Sequence, residues 1–183
     1  MNIIQENIPV NMIRQHLKDI PNYILPAGYR FRWYQPGDEQ WWVDIHQEAE
    51  KYAETSHAVY QREFNNNLEA LKQRQCFIMD AEEHAIGTAS AWFNPDYNGQ
   101  AYGRVHWVAI IPRMQGKGLS KPLMTAVCQR MRELGHGQAY LSTSTARIPA
   151  INLYLKFGFV PEIRNEDDRR AWQGVQKELG TNF

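Results

Sequence analysis

The sequence has little that would mark a secreted, membrane-spanning or nucleic-acid-binding protein. Two cysteines in 183 residues are too few for the disulfide framework of a small secreted domain. Lys and Arg number 20 and so do Asp and Glu, so no overall charge points to nucleic acid or to an anionic membrane. No secretory leader pattern and no apolar run of membrane-spanning length appears. We therefore expect a cytoplasmic protein that binds neither nucleic acid nor membrane.

Metal-ligand patterns and repeats are lacking as well. The six histidines show no metal-site spacing, and we expect no bound metal. Cys76 opens an apolar run and Cys128 lies in a helical pattern, so both are expected to be buried free thiols. Hydrophobic residues make up 43% and charged residues 22%, which is close to the average of soluble globular domains.

The apolar pattern predicts one mixed α/β domain preceded by an extension. Residues 1–28 are expected to pack on the core as an extension, with a short helix at Met12–Leu17, because two prolines interrupt anything longer. Residues 29–183 are expected to form the single domain, a sheet with helices on its faces. Strands are predicted at 29–33, 76–79, 85–93, 103–111, 139–143 and from 159, and helices at 39–52, 59–74, 119–134 and 149–157.

The stretch from 112 to 120 carries the clearest chemical signal. A β-branched strand ends there, a loop with Gly116 and Gly118 follows, and a helix begins. Glycines let a backbone approach a ligand closely, and a helix N-terminus presents unpaired N–H groups and partial positive charge. Arg113 and Lys117 add cationic charge. Together these features predict a cradle for a pyrophosphate.

Two other phosphate-binding motifs do not fit this loop. A P-loop needs Gly where Ile111 stands and Ser or Thr where Gly118 stands. A dinucleotide fingerprint needs a third Gly where Lys121 stands, in a βαβ unit that is not predicted here. On the loop alone, a tight turn without a ligand stays an alternative.

Two segments together resemble the GNAT superfamily of N-acetyltransferases, over about residues 29–162. Arg113–Gly118 matches Arg/Gln-x-x-Gly-x-Gly/Ala, and Ala150–Phe159 is similar to Ala-Ile-x-Leu-Tyr-x-Lys-x-Gly-Phe. The stretch His-Trp-Val at 106–108 also resembles the mycothiol synthase-like branch. The resemblance implies the GNAT fold: a mixed, mostly antiparallel sheet, helices on both faces, and a splay between the family's fourth and fifth strands.

The resemblance also implies acetyl-CoA as co-substrate and acyl transfer to a primary amine by direct attack on the thioester. The family's fourth strand falls on Gly103–Ile111, whose backbone is expected to pair with the pantetheine arm, one N–H polarising the thioester carbonyl. Amides from Met114 to Leu119 are expected to hold the pyrophosphate. The implied cofactor-binding residues are Val108, Ala109, Ile110, Arg113, Met114, Gln115, Gly116, Lys117, Gly118, Leu119 and Ser120.

Tyr154 and His106 are the candidate catalytic residues, and a structural role is the alternative for each. A phenol with a pKa of about 10 can protonate a thiolate leaving group of about 8.5, so Tyr154 is expected to be the general acid. Some relatives use a glutamate base where Arg104 stands. His106 follows two residues later on the same face and is the predicted base. Three glutamates acting through water are alternative bases: Glu48, Glu50 and Glu54.

The acceptor is expected to be a small-molecule or peptide amine, and a homodimer is a possible assembly. Relatives often carry Asn where Arg147 stands, and the hydroxyls of residues 142–145 are the expected substitute. The alternative functions are a non-catalytic CoA- or acyl-CoA-binding sensor or regulatory module, and an unrelated nucleotide-binding domain. The candidate acceptor lining is aromatic, with core packing as its alternative: Trp41, Trp42, Tyr52, Tyr60, Trp92, Tyr97 and Trp107.

Overall fold

A seven-stranded sheet lies at the centre of the structure, which is a computed structural model describing residues 3–181. Residues 1–2, at the start of the predicted extension, and residues 182–183, at the end of the predicted domain, lie outside the described residues. The strands are β1 (Pro9–Arg14), β2 (Arg30–Trp33), β3 (Gln75–Met79), β4 (Ala85–Tyr97), β5 (Gln100–Ile110), β6 (Ala139–Ser144) and β7 (Val160–Pro161). The helices are α1 (Ile3–Glu6), α2 (Glu39–Ala49), α3 (His57–Phe64), α4 (Leu68–Arg74), α5 (Ser120–Glu133), α6 (Ile148–Lys156) and α7 (Glu166–Leu179), with a 3₁₀ turn at Pro112–Met114.

The sheet opens between β5 and β6. Its strand order is β2-β3-β4-β5-β6-β1-β7, and every neighbouring pair is antiparallel except β5 with β6. The parallel pair is held at two positions, Gly103 opposite Ala139 and Arg104 opposite Tyr140. Beyond Arg104 the two strands separate. The mixed sheet and the predicted splay are therefore confirmed, with β5 and β6 as the family's fourth and fifth strands.

Helices cover both faces of the sheet. The apolar stripe of α5, which includes Leu123, Val127 and Met131, is fully buried. Gly103 on β5 lies against this helix so closely that an added Cβ would meet Met131 Sδ at 2.7 Å. Because side chains alternate along a strand, Arg104 points to the opposite face, where α2 and α3 pack.

The N-terminal segment adds a strand to the sheet. Pro9–Arg14 pairs antiparallel with β6 along its whole length and, at two residues, with β7. The predicted helix at Met12–Leu17 is therefore wrong. Val10, Met12 and Arg14 are buried, and Asn11 and Ile13 between them are not, which is the two-residue period of a strand. This segment forms a strand and not a helix because the edge of β6 supplies partners for its backbone hydrogen bonds.

Other local predictions are confirmed or corrected at named residues. The predicted helix over 59–74 is interrupted at Asn65 and Asn66, which both have φ +50. Cys76 and Cys128 are free and buried, as expected, and burial raises the pKa of each thiol to about 12. Among residues 3–181, no helix combines the length and apolar character needed to cross a membrane.

Candidate active site

A cleft lies where β5 and β6 diverge. Its volume is about 390 Å³, which is in the usual range for a small-ligand site. The splay leaves a gap between the two strands. Segments that are far apart in sequence meet around this gap and form its walls. The lining residues are Asn7, Pro9, His46, Glu50, Tyr52, Ala53, Glu63, Arg104, Val105, His106, Trp107, Val108, Ser142, Thr143, Ser144, Arg147 and Tyr154.

The strand β5 carries a bulge at the wall of this cleft. Its register with β4 shifts between Thr88 and Ser90, and Trp107 opposite the shift adopts φ +49. A bulky residue seldom takes a left-handed conformation, and bulges are frequent beside active sites. The bulge bends β5 where the splay opens.

Hydrogen bonding with β4 decides which backbone groups of β5 stay available. The N–H of Ile111 donates to a carbonyl of β4 at 3.0 Å, and Ala109 pairs with β4 in the same register. Alternation along the ladder then turns the backbone of Val108 and Ile110 away from β4, toward the splay. Of the three predicted pantetheine partners, Ala109 has its backbone directed to the sheet and the other two face the cleft side.

The loop after β5 divides into occupied and free amides. The N–H of Met114 donates to Ile111 O at 2.9 Å, and that of Gln115 donates to Pro112 O at 3.2 Å. These two amides close the 3₁₀ turn and are not available, which corrects the predicted start of the cradle. Within residues 3–181, no protein group accepts a hydrogen bond from the amides of 116–121. The free donors therefore begin two residues later than expected and continue into α5.

The free segment has the conformation that the two glycines were expected to supply. Gly116 and Gly118 both adopt φ +78, a region open to glycine at little cost. Leu119 is buried and precedes Ser120, the first residue of α5, and no side chain caps this helix end. An uncapped N-terminus leaves its donors and partial positive charge for a ligand.

The two loop cations lie beside other side chains. Arg113 forms an exposed ion pair with Glu48 of α2, at 2.9 Å. Lys117 Nζ lies 3.4 Å from Met114 Sδ. The side chain of Gln115 donates to Ile110 O at 2.9 Å, on the side of β5 that faces the splay. The loop is thus fastened to the end of β5 at the open side of the sheet.

Tyr154 lies in the cleft as a protonated phenol. It is 8% exposed, and burial raises its pKa to about 12, an effect that Arg147 partly offsets. Its ring packs near Phe159. Its hydroxyl has no hydrogen-bond partner among residues 3–181, yet it is not sealed from solvent. A neutral hydroxyl at the edge of a cleft can donate a proton.

His106 lies beside a carboxylate that the sequence did not single out. Its Nε2 is 3.2 Å from Glu63 Oε2, although the direction does not meet hydrogen-bond geometry. Glu63 also accepts from Trp107 Nε1 at 3.3 Å. Contact with His106 and Trp107 outweighs burial and lowers the pKa of Glu63 to about 2. Burial lowers the pKa of His106 to about 4, although Glu63 raises it in part.

A weak signal for Glu63 was present in the helical spacing. Val59 and Tyr60 are buried on α3, and Glu63 stands four and three residues after them. Positions at these spacings share one helix face, so Glu63 could be placed toward the core. Its partner on β5, His106, could not be predicted, because the sequence does not show how α3 packs on β5.

The three alternative bases are not free in the cleft. Glu48 pairs with Arg113, and Glu54 is exposed and outside the cleft lining. Glu50 reaches the cleft but accepts from Arg147 at 2.6 Å. Burial raises the pKa of Glu50, but the hydrogen bonds from Arg147 and nearby amides outweigh it, so the pKa is lowered overall. His106 therefore stays the leading candidate for the base.

The aromatic lining is mostly core, which was the alternative interpretation. Tyr52 and Trp107 line the cleft. Trp42, Tyr60 and Trp92 are buried in the core. The other two predicted members pack on neighbouring rings outside the lining: Trp41 on Phe77 and Tyr97 on Tyr140.

Buried polar atoms without protein partners are concentrated at the cleft. Such atoms signal a ligand or water, because nearly all buried polar groups in proteins are paired. His46 was not predicted; it is 2% exposed, and burial lowers its pKa to about 3. Within residues 3–181, six unpartnered atoms belong to cleft-lining residues: Asn7 Oδ1, His46 Nε2, Arg104 Nε, His106 Nε2, Thr143 Oγ1 and Ser144 Oγ.

Known proteins resemble this chain in sequence over its middle part. The family model for the acetyltransferase (GNAT) family matches residues 27–159. A mycothiol acetyltransferase of Pseudarthrobacter chlorophenolicus is 27% identical over 150 residues, covering 77% of this chain and 45% of that protein. N-acetyltransferase 8B of Rattus norvegicus is 30% identical over 84 residues, covering 45% of this chain and 38% of that one. This chain thus spans less than half the length of these curated relatives.

Solved structures share the fold. A GCN5-related N-acetyltransferase from Sphaerobacter thermophilus superposes with a TM-score of 0.70 at 18% identity, covering 84% of this chain and 48% of that one. A chain of the NatC complex bound to Gag peptide and CoA superposes with a TM-score of 0.64 at 17% identity, covering 75% of this chain and 87% of that one. With the splayed sheet, the loop at its open side and the family match over residues 27–159, the chain belongs to the acetyltransferase (GNAT) family.

Proposed function

We propose that this protein transfers an acetyl group from acetyl-CoA to a primary amine in the cleft between β5 and β6. One observation carries the proposal: Tyr154 and His106 line the same cleft, at the end of a strand whose loop keeps the amides of 116–121 free of protein acceptors. The match to mycothiol acetyltransferases supports a small-molecule amine as the acceptor.

The residues present fit a coenzyme A thioester. Free amides at 116–121 and the uncapped start of α5 suit a diphosphate, and the cleft-facing backbone of Val108 and Ile110 suits the amides of a pantetheine arm. When bound, acetyl-CoA supplies a thioester whose acyl carbon an amine can attack. A backbone donor of β5 directed at the carbonyl oxygen would stabilise developing negative charge, a contribution of about 2.7–4 kcal/mol in other enzymes.

His106 is the proposed proton acceptor. An alkyl ammonium must lose a proton before its nitrogen can attack. Because burial lowers the pKa of His106 to about 4, the imidazole is neutral at pH 7 and Nε2 can take that proton. Glu63, ionised and 3.2 Å away, then stabilises the imidazolium.

Tyr154 is the proposed proton donor. As the N–C bond forms and the C–S bond breaks, the leaving sulfur gains the electron pair and needs a proton. The Tyr154 hydroxyl, kept neutral by burial, donates it and becomes a phenolate. The attacking nitrogen, positively charged once the N–C bond has formed, gives up its second proton, which restores the phenol, and His106 releases the first proton to solvent. The two residues thus move one proton each, in opposite directions.

Calorimetry and thiol release test the proposal. Acetyl-CoA, CoA, ATP and NAD are titrated separately, and free thiol is measured with a panel of amines. We expect binding of the two coenzyme A species and thiol release with a subset of amines. Coenzyme A binding with no thiol release for any amine would indicate a non-catalytic sensor, and preferential binding of ATP or NAD would contradict the proposal altogether.

A further inference from the structure

We propose that Arg104 binds a carboxylate of the acceptor, which makes the acceptor an amine that also carries a carboxylate, such as an amino acid or a short peptide. This inference rests on the proposed function. It concerns the same cleft and identifies the chemical class of the second substrate.

Arg104 is held in place by packing at the narrow end of the cleft. It is the last residue of β5 that pairs with β6, where it lies opposite Tyr140. Its guanidinium carbon is 5.7 Å from the centre of the Tyr140 ring, and that ring stacks on Tyr97 at 3.8 Å. A guanidinium resting on an aromatic face is pre-oriented, so binding an anion costs little side-chain entropy.

The charge of Arg104 helps to lower the pKa of Glu63, but Arg104 has no ion-pair partner in the described part of the chain. Within residues 3–181, no Asp or Glu lies at ion-pair distance from it, and its Nε is buried without a hydrogen-bond partner. The two carboxylates of the cleft are engaged elsewhere: Glu50 with Arg147, and Glu63 with His106. An unpaired buried donor is costly, and a bidentate carboxylate is the ligand that a guanidinium fork matches.

The neighbours of Arg104 suit a zwitterion. His106 stands two residues further along the same strand face, about 7 Å away, with the Glu63 carboxylate beside it. An ammonium group of the acceptor would meet negative charge there, while a carboxylate would meet Arg104. The order of charges along β5 therefore matches a molecule that carries both groups.

Arg104 is too far from the loop to serve the coenzyme diphosphate. Ile110 lies six positions further along the strand, or about 20 Å away, and the free amides begin beyond that point at 116. The guanidinium thus belongs to the acceptor end of the cleft.

Matched amine pairs test the inference. Acetylation of phenylalanine, its methyl ester and phenethylamine is measured, together with alanine and ethylamine, in unmodified protein and in Arg104→Gln, Arg104→Lys and Arg132→Gln. In the unmodified protein we expect KM to be about 10- to 100-fold lower for the acid than for the ester or the decarboxylated amine. Arg104→Gln should remove this preference and Arg104→Lys retain part of it, while the exposed control Arg132→Gln should keep it.

Calorimetry of the same compounds with CoA-loaded protein adds a readout without turnover. The expected result is tighter binding of the acids, lost in Arg104→Gln, with melting temperatures confirming that each variant is folded. Acetylation or binding of amines without a preference for the acid would overturn the inference and leave the proposed function standing. A stronger preference for phosphoethanolamine than for its carboxylate analogue would overturn the carboxylate class. Failure to bind acetyl-CoA at all would instead contradict the proposed function.

Discussion

The loop after β5 and the cleft beside that strand, which we call the loop end and the acceptor end of the site, offer different kinds of chemical group. At the loop end, free donors come from one continuous segment, residues 116–121, and they are backbone amides near solvent. At the acceptor end, the groups are buried side chains that α2, α3, β5 and α6 bring together. Backbone donors recognise a constant partner such as a diphosphate, whereas side chains can differ between proteins of one fold. The loop end should therefore set coenzyme affinity, and the acceptor end should set turnover and specificity.

Tyr154→Phe should separate the two ends most clearly. Loss of the proton donor is expected to lower turnover about 100- to 10,000-fold, while acetyl-CoA affinity stays within about twofold, because the loop amides are untouched. Steady-state thiol release and calorimetry measure the two quantities. Tyr52→Phe, at an exposed tyrosine of the same cleft, is the control. Unchanged turnover in Tyr154→Phe would remove this residue from the mechanism.

The acceptor end should also carry much of the pH dependence of stability. Burial lowers the pKa of His46 to about 3 and of His106 to about 4, below the value of about 6.5 in an unfolded chain. The unfolded chain therefore binds protons first as the pH falls below 6.5, and the folded state loses stability until the pH approaches these lower values. Between pH 7 and pH 5 we expect a loss of about 2 kcal/mol for each histidine.

Urea unfolding at the two pH values measures this loss. Replacing His46 and His106 by Gln should flatten the dependence, whereas His16→Gln, at an exposed position, should not. Glu63 has a pKa of about 2. It therefore loses its contribution to folding stability only as the pH falls below about 4.5, which lies outside the interval between pH 7 and pH 5. Equal stability of the unmodified protein at pH 7 and pH 5 would contradict the buried, neutral state of the two histidines.

Glu63→Gln should sharpen the assignment of the base. Glu63 raises the pKa of His106 against the effect of burial, so removing its charge should lower that pKa further and weaken the base. We expect kcat/KM at pH 7 to fall about tenfold and the acidic limb of its pH profile to move to lower pH. Glu48→Gln, at an exposed glutamate, should change neither. His106→Ala should flatten the limb; an unaltered limb would exclude His106 as the base.

Gly118→Ala should produce the smallest change, confined to the loop end. An added Cβ would meet nothing within 4 Å, but φ is +78, so the cost is that of a left-handed backbone, about 1 kcal/mol. Because the free loop of the variant can relax away from this conformation and must return to it to bind, coenzyme A affinity should fall about fivefold, with turnover at saturating acetyl-CoA unchanged. Gly137→Ala, which has open space and no positive φ, is the control. Equal affinities in the two variants would indicate that the loop conformation does not matter for binding.

The same contrast explains how much of the site the sequence could predict. The loop is local: Gly116, Gly118 and the following helix are adjacent in the chain, and their conformations match the expectation. The exception is the pair Met114 and Gln115, whose amides are consumed by the 3₁₀ turn after Ile111, a detail of loop geometry that residue types do not determine.

The acceptor end depends on long-range packing and was only partly predicted. Tyr154 and His106 were named from motif and strand position, but Glu63 and His46 were not. The ion pair between Glu50 and Arg147 joins residues 97 positions apart, and no local pattern predicts such a contact. Pro9–Arg14 likewise forms a strand because it pairs with the edge of β6, which is distant in the sequence.

Hydrogen exchange of the loop amides tests the central claim most directly. Exchange is followed residue by residue by NMR, without ligand and with saturating CoA. We predict slower exchange for the amides of 116–121, which have no acceptor in the protein, and little change at Met114 and Gln115, which are already bonded. Exchange at 116–121 that is the same with and without saturating CoA would contradict the account.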